Sequence, residues 1–409
     1  MFDAKKIQKD FPQLTRKING KRIVYLDSTA TSLKPRPVID KENEYYTQYT
    51  ANVFRGIYTT SEEATAAYEN ARVLTASFIG AATPEEVVFT RNTSESINLA
   101  AYSYMLNSFQ PGDRVVTTIM EHHSNFVPWQ QLGRKRGIMV DIWGVTPDGL
   151  LDMAALEKLI TPKTKLLAVT AASNVLGTIT PITEIVRVVK RLNPHCLVLV
   201  DAAQAVPHMP VNVQEWDADF VVFSSHKMLG PTGIGVLWAK RELLEEMTPF
   251  NYGGDMISEV HVDRTVFKAP PHKFEAGTPH IAGVIGFGKA VEYLSALGME
   301  NIRAHERDLV SYAIKQFHAV AGLEFLGPKN PDIRGGVFAC TLKNAHPHDI
   351  AQLLNETNVF IRAGNHCAMP LHEHFGVVST ARASFYVYTT REDIDAFIEG
   401  ILRVQKTFS

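Results

Sequence analysis

The sequence predicts an α/β protein: a large domain on a mostly parallel sheet flanked by helices, with a smaller α+β domain. Two observations point there. From about Val24 to Gly288, short apolar runs alternate with amphipathic stretches, the pattern of buried strands covered by helices. From about Glu300 the pattern shifts to isolated strands set between helices. At 409 residues the chain is also too long for one ordinary core. The expected division is 22–290 for the large domain, with 1–21 and 291–409 forming the small one.

Val87–Thr90, Arg114–Ile119, Lys165–Thr170, Leu197–Val200 and Phe220–Phe223 read as strands buried on both faces. Between them, Ile97–Met105 and Ile182–Leu192 repeat apolar residues at helical spacing. Further on, the pattern predicts a helix over Ile302–Val320, a strand over Gly335–Leu342 and a helix over Asp349–Thr357. Two short strands follow around Ile361 and Phe385. The last helix opens with Thr390 and Asp393 at capping-box spacing and carries Ile394, Phe397, Ile398, Ile401 and Leu402 as its apolar positions.

Hydrophobic residues make up 45% and charged residues 21%, ordinary values for a globular chain. A net charge of -2 provides no field for nucleic acid or an anionic membrane, so neither is expected as a partner. The three cysteines, Cys196, Cys340 and Cys367, are far apart and lack CxxC spacing. That argues against a disulfide framework or a zinc site, and for a reducing compartment. Met1–Asp10 has no apolar core of a signal peptide, and no apolar run is long enough to span a bilayer. The expectation is a soluble, cytoplasmic protein.

In such a sheet the chemistry belongs outside the carboxyl ends of the strands. The run Leu197–Val200 ends in Asp201, with Gln204 three positions on. The run Phe220–Phe223 ends in Ser224, His226 and Lys227. A lysine and a carboxylate on adjacent strand ends suit pyridoxal 5'-phosphate. The amine condenses with the aldehyde, and the carboxylate keeps the pyridine nitrogen protonated. Gln204 is then available to the ring hydroxyl, and Ser224 and His226 to the phosphate. Alone, Asp201 would be an ordinary helix cap and Lys227 a solvated lysine; their joint placement is what carries the reading.

Thr93-Ser94-Glu95 opens a helix after a strand and fits either a plain hydroxyl cap or a phosphate cradle. His123, in the segment Glu121–Asn125, fits a structural residue or a ring that stacks on a flat cofactor and shuttles protons. His122 and His123 have no partner at helical spacing, so no metal site is expected. Arg362–Pro370 places Cys367 on a loop between Gly364 and Pro370, as sulfur chemistry requires. His366 and Arg362 are the nearby groups that would favour its thiolate. Cys196 and Cys340, in apolar runs, read as inert small hydrophobes.

Together with Val24–Pro35, Asn174–Thr178, Ser224–Gly235, Phe274–Pro279 and Arg362–Leu371, these motifs run in one order along nearly the whole chain. In this the chain resembles the cysteine desulfurases of the SUF type, within the class V aminotransferase-like branch of fold-type I pyridoxal phosphate transferases. The resemblance implies a homodimer that converts L-cysteine to L-alanine and passes the sulfur through a Cys367 persulfide to an acceptor protein, for iron–sulfur cluster assembly. It implies Lys227 as the cofactor-bearing lysine and α-proton base, Asp201 as partner of the ring nitrogen, Gln204 at the ring hydroxyl and His123 over the ring. Thr93, Ser94, Ser224 and His226 hold the phosphate, joined by Thr278 from the partner chain. Asn174 and Arg382, with Arg362 close by, hold the substrate carboxylate.

A selenocysteine lyase would keep the same residues, a transaminase would not need Cys367, and a non-catalytic scaffold would need none of them. Thr29, Phe54, Tyr58, Ser225 and Asn365 depart from the family pattern without removing a catalytic group.

Overall fold

Seven short strands build the main sheet of the computed structural model, which describes residues 2–408. They are β1 (Val87–Thr90), β2 (Arg114–Thr118), β3 (Met139–Trp143), β4 (Thr164–Thr170), β5 (Leu197–Asp201), β6 (Phe220–Ser224) and β7 (Gly235–Ala239). Their order across the sheet is β1-β7-β6-β5-β4-β2-β3. Neighbours from β6 to β3 pair in parallel, while β7 is antiparallel to both β1 and β6. The sheet is thus mixed, a mostly parallel array with β7 reversed. The reversal has a simple cause: Ser225–Ile234 is shorter than the dozen or so residues a parallel crossover needs.

Helices cover the sheet. Arg36–Gln48 (α1) and Thr59–Phe78 (α2) pack against a later helix, Ile281–Leu297, and α3 (Thr93–Ala100) sits over β6 and β7. Asn92 caps α3 by accepting from the Glu95 N–H. Beyond Ala100 the expected helix continues as a wider π turn, Ala101–Met105. Ile182–Leu192 (α4) has the predicted bounds and buries Ile182, Ile185, Val186 and Val189 on one stripe.

The second core lies around an antiparallel sheet of β8 (Leu323–Phe325), β9 (Val337–Leu342), β10 (Arg362–Gly364) and β11 (Thr380–Ser384), ordered β8-β9-β11-β10. Ile281–Leu297 (α5) leads into α6 (Met299–His318); α7 (Pro347–Asn355) and α8 (Arg391–Thr407) complete this part. Phe317, Phe338, Ile350 and Phe397 fill its centre. The expected capping box is formed: Thr390 and Asp393 bond each other's backbone at the start of α8. Val24 and Leu26 also pack into this core, because Val24–Tyr25 pairs in parallel with Val359–Phe360. That pairing brings Asp27–Ala30 up to the carboxyl ends of the main sheet. Among the described residues, no single helix is long and apolar enough to cross a membrane.

Candidate active site

Five strand ends converge on one cavity of about 210 Å³. Asn92, Thr93 and Ser94 follow β1, and His122 and Ser124 follow β2. Asn174 follows β4, Asp201 closes β5, and Ser224, His226 and Lys227 come from the end of β6. The four-stranded sheet closes the cavity with Arg362, His366 and Cys367 on and after β10, and with Arg382 on β11. A site at the carboxyl ends of a doubly covered sheet is where the topology leaves room for a ligand. Gly235 keeps the cradle tight, since a Cβ there would lie 2.4 Å from the Asn92 carbonyl carbon.

Asp201 is buried and accepts from the Ala203 N–H at 3.0 Å. Burial raises it above the usual carboxylate range; that same N–H bond and the Lys227 charge pull it back down. Burial also lowers Lys227 to about 8, against the pull of Asp201 and with the help of Arg382. Ser224 Oγ accepts the Thr93 N–H at 2.8 Å and meets the Thr93 hydroxyl, which ties the two halves of the cradle together. Burial holds His226 down at about 4, so its ring is neutral near pH 7.

Arg362 and Arg382 face each other across the β10–β11 pair, an arrangement that costs energy unless an anion lies between or beside them. Asp27 supplies one, accepting from Arg382 Nη2 at 3.2 Å, while Nη1 donates to the Asn174 carbonyl at 3.0 Å. Arg382 Nε is buried without a partner, and so is Gln204 Oε1, whose Nε2 donates to the Thr29 carbonyl at 3.0 Å. The wall therefore presents one spare cationic donor and one spare acceptor. These suit a carboxylate and a ring hydroxyl, and the hydroxyl-rich end with Thr93, Ser94 and Ser224 suits a phosphate. The donor set fits pyridoxal phosphate.

The Cys367 loop is held in a backbone shape that side chains disfavour. His366 and Cys367 have φ of 51° and 59°, each costing about 1–3 kcal/mol outside glycine. Hydrogen bonds impose it: the His123 N–H donates to the Cys367 carbonyl at 2.7 Å, and Asn174 Nδ2 donates to the His366 carbonyl at 2.8 Å. His366 Nε2 lies 2.9 Å from Thr380 Oγ1. The result is a partly exposed thiol turned toward Lys227's cavity. Cys196 and Cys340 are buried, with thiols pushed up to about 12.

Two expectations need correction. The histidine on the cavity wall is His122, not His123. His123 turns toward the Cys367 loop, where its Nε2 accepts the Met369 N–H at 3.0 Å. Nor does His366 supply positive charge, because burial beside Arg382 pushes it down to about 2. The cations near Cys367 are Lys227, Arg362 and Arg382. Thr278 is exposed and, within one chain, lines a different cavity of about 1060 Å³ that shares His226 and Asn92 with the first. Asn174 lines the first cavity as expected, but its side chain also fastens the Cys367 loop. Asp27, Thr29 and Ser124 join the site although their motifs assign them no role. An N-terminal strand pairing with β-residues more than 300 positions away is the feature that brings in the first two. Among the described residues, no group of three or more His, Cys, Asp or Glu is placed to hold a metal.

The chain is similar to known proteins along its whole length. A family model described as aminotransferase class-V matches residues 24–397. A probable cysteine desulfurase of Streptomyces coelicolor is 46% identical, covering 100% of this chain and 98% of that protein. A cysteine desulfurase of Haloferax volcanii is 45% identical with the same coverage, 100% and 98%. Among solved structures, a cysteine desulfurase of Escherichia coli superposes with a TM-score of 0.92 at 35% identity over 100% of both chains. The apo cysteine desulfurase of Thermococcus onnurineus gives 0.94 at 38% identity over 99% of both chains. With the family model matching residues 24–397 and a relative 46% identical over the whole chain, the chain belongs to the aminotransferase class-V family.

Proposed function

We propose that the protein is a pyridoxal phosphate-dependent cysteine desulfurase that converts L-cysteine to L-alanine and takes the sulfur onto Cys367. The carrying observation is that Asp201, Lys227, Arg382 and Cys367 line a single cavity. The full-length relatives named cysteine desulfurases support the same reading.

Bound in this site, pyridoxal phosphate supplies an electron sink for the charge left when the substrate α-proton departs. Everything else falls to the chain. Arg382 holds the substrate carboxylate through its unpartnered Nε–H, a charge-assisted hydrogen bond. Lys227 takes the proton from the α-carbon. The Cys367 thiolate attacks the substrate sulfur: an S–S bond forms, the Cβ–S bond breaks, and its electron pair goes to Cβ. Protonation of Cβ and return of a proton to the α-carbon complete alanine. His122, neutral because burial lowers it to about 3, takes the place beside the ring that the sequence suggested for His123.

The lowered Lys227 sets a pH dependence. Only the neutral amine attacks the cofactor aldehyde, so the rate of covalent loading rises with pH and levels off above about 8. Stopped-flow absorbance on added cofactor measures it; a rate still climbing at pH 10 would show an ordinary solvated lysine. Turnover is tested with L-cysteine and L-selenocysteine in parallel, counting alanine and released sulfide or selenide with and without a thiol acceptor. Equal alanine and sulfur from L-cysteine is expected. Turnover of selenocysteine alone would make the enzyme a lyase.

The functional unit is a homodimer. Exposed Thr278 and the apolar surface of Tyr252, Val260 and Val262 on and beside the hairpin Ile257–Phe267 support it. A monomer fully active on dilution would rule it out. Three free cysteines support a reducing, cytoplasmic setting. The end-to-end motif resemblance supports delivery of sulfur to a SUF-type acceptor for iron–sulfur cluster assembly. Failure to restore iron–sulfur enzymes in cells lacking their own desulfurase would refute that destination.

A further inference from the structure

Between the phosphate cradle and His122 stands a hydroxyl that the reaction above does not use. Ser124 lies on the short turn after β2 and lines the cavity. Its Oγ is hydrogen-bonded to Ser94 Oγ, on α3, and lies 3.0 Å from His122 Nδ1. Its backbone N–H donates to that same nitrogen at 3.1 Å. A backbone N–H can only donate, so Nδ1 is the acceptor and the neutral imidazole carries its proton on Nε2. The backbone bond alone would complete an ordinary turn; it does not account for the link to Ser94, thirty residues away on another element.

Proton counting shows what that link can do. The Ser124 hydroxyl has one proton and two acceptors within reach, His122 Nδ1 and Ser94 Oγ. The Ser94 hydroxyl likewise has one proton, for Ser124 Oγ or for an anion in the cradle. We infer that Ser124 is a positioning residue that transmits occupancy of the phosphate cradle to His122 through a reversible hydroxyl relay. The inference rests on the cofactor reading above. Without an anion, Ser94 donates to Ser124 and Ser124 donates to Nδ1. When phosphate oxygens accept the Ser94 proton, Ser94 Oγ becomes an acceptor and Ser124 turns its proton toward it. Nδ1 then keeps only the backbone donor, and the aligned hydroxyls strengthen one another's bonds to the phosphate. No covalent bond changes, and each proton stays on its own oxygen.

Inorganic phosphate tests the relay without turnover. The full-length, cofactor-free protein, labelled with nitrogen-15 in histidine, is titrated with phosphate while the His122 Nδ1 resonance is followed. A His122→Asn variant assigns the signal. Phosphate is expected to move that resonance in the wild type. Ser124→Ala, which keeps the backbone N–H, should abolish the shift and weaken phosphate binding about 3- to 10-fold. Ser124→Thr should restore both. An unchanged Nδ1 shift in Ser124→Ala, or phosphate bound by the wild type with no shift, overturns the relay. In either case borohydride still fixes pyridoxal phosphate to Lys227. A wild-type chain in which it does not would overturn the cofactor reading, and the relay with it.

Discussion

Lys227→Ala is expected to bind pyridoxal phosphate without a covalent bond and to lose nearly all turnover. Two functions vanish with one side chain: the amine that attaches the cofactor and the base that takes the α-proton. The second alone is worth about 10²–10⁴-fold. The fold should survive, since the change removes a cation that burial already destabilises, lowering it to about 8. Borohydride reduction followed by peptide mass measurement reads the attachment directly. A reducible bond retained in the variant would place the lysine elsewhere, and wild-type alanine formation would remove Lys227 from the mechanism.

Cys367→Ser is expected to separate cofactor chemistry from sulfur transfer. Serine preserves the loop, because the hydrogen bonds that impose its shape go to backbone atoms and to His366 rather than to the thiol. A hydroxyl has no usable anion near neutral pH, so the substrate sulfur meets no nucleophile. The variant should load cofactor and bind L-cysteine normally, seen as a spectral change on adding substrate, yet release almost no alanine. Normal alanine release would refute the role. Cys196→Ser and Cys340→Ser should leave transfer intact and lower stability only modestly, since each new hydroxyl enters an apolar core but faces the carbonyl its thiol already meets, Leu197 or Ala381.

The main sheet was legible because its central strands are buried on both faces and carry unbroken apolar runs, as in β5 and β6. Strand β3 was not, because it lies at the edge with Met139 exposed and Asp141 in its middle. β7 is hidden too, although Gly235–Ala239 is wholly buried, because the Gly- and Pro-rich segment before it reads as loop. Asp201 and Lys227 were readable only as a pair: each alone has an ordinary structural reading, but a carboxylate and a lysine at the ends of adjacent buried strands suit one cofactor. His122 and His123 are adjacent residues in a turn, where one step decides which ring faces the cavity. Only the Ser124 N–H to His122 Nδ1 bond and the His123 link to the Cys367 loop decide it. The neutrality of His366 is equally a matter of burial, which its neighbours in sequence do not reveal.

One measurement bears most directly on sulfur transfer to Cys367. The cofactor-loaded protein is given one equivalent of L-cysteine with no thiol acceptor, quenched, digested under conditions that preserve persulfides, and weighed peptide by peptide. One added sulfur on the Cys367 peptide, matched by one alanine released, is the predicted result. Added sulfur on the Cys196 or Cys340 peptide, or alanine released with no sulfur on Cys367, would contradict it.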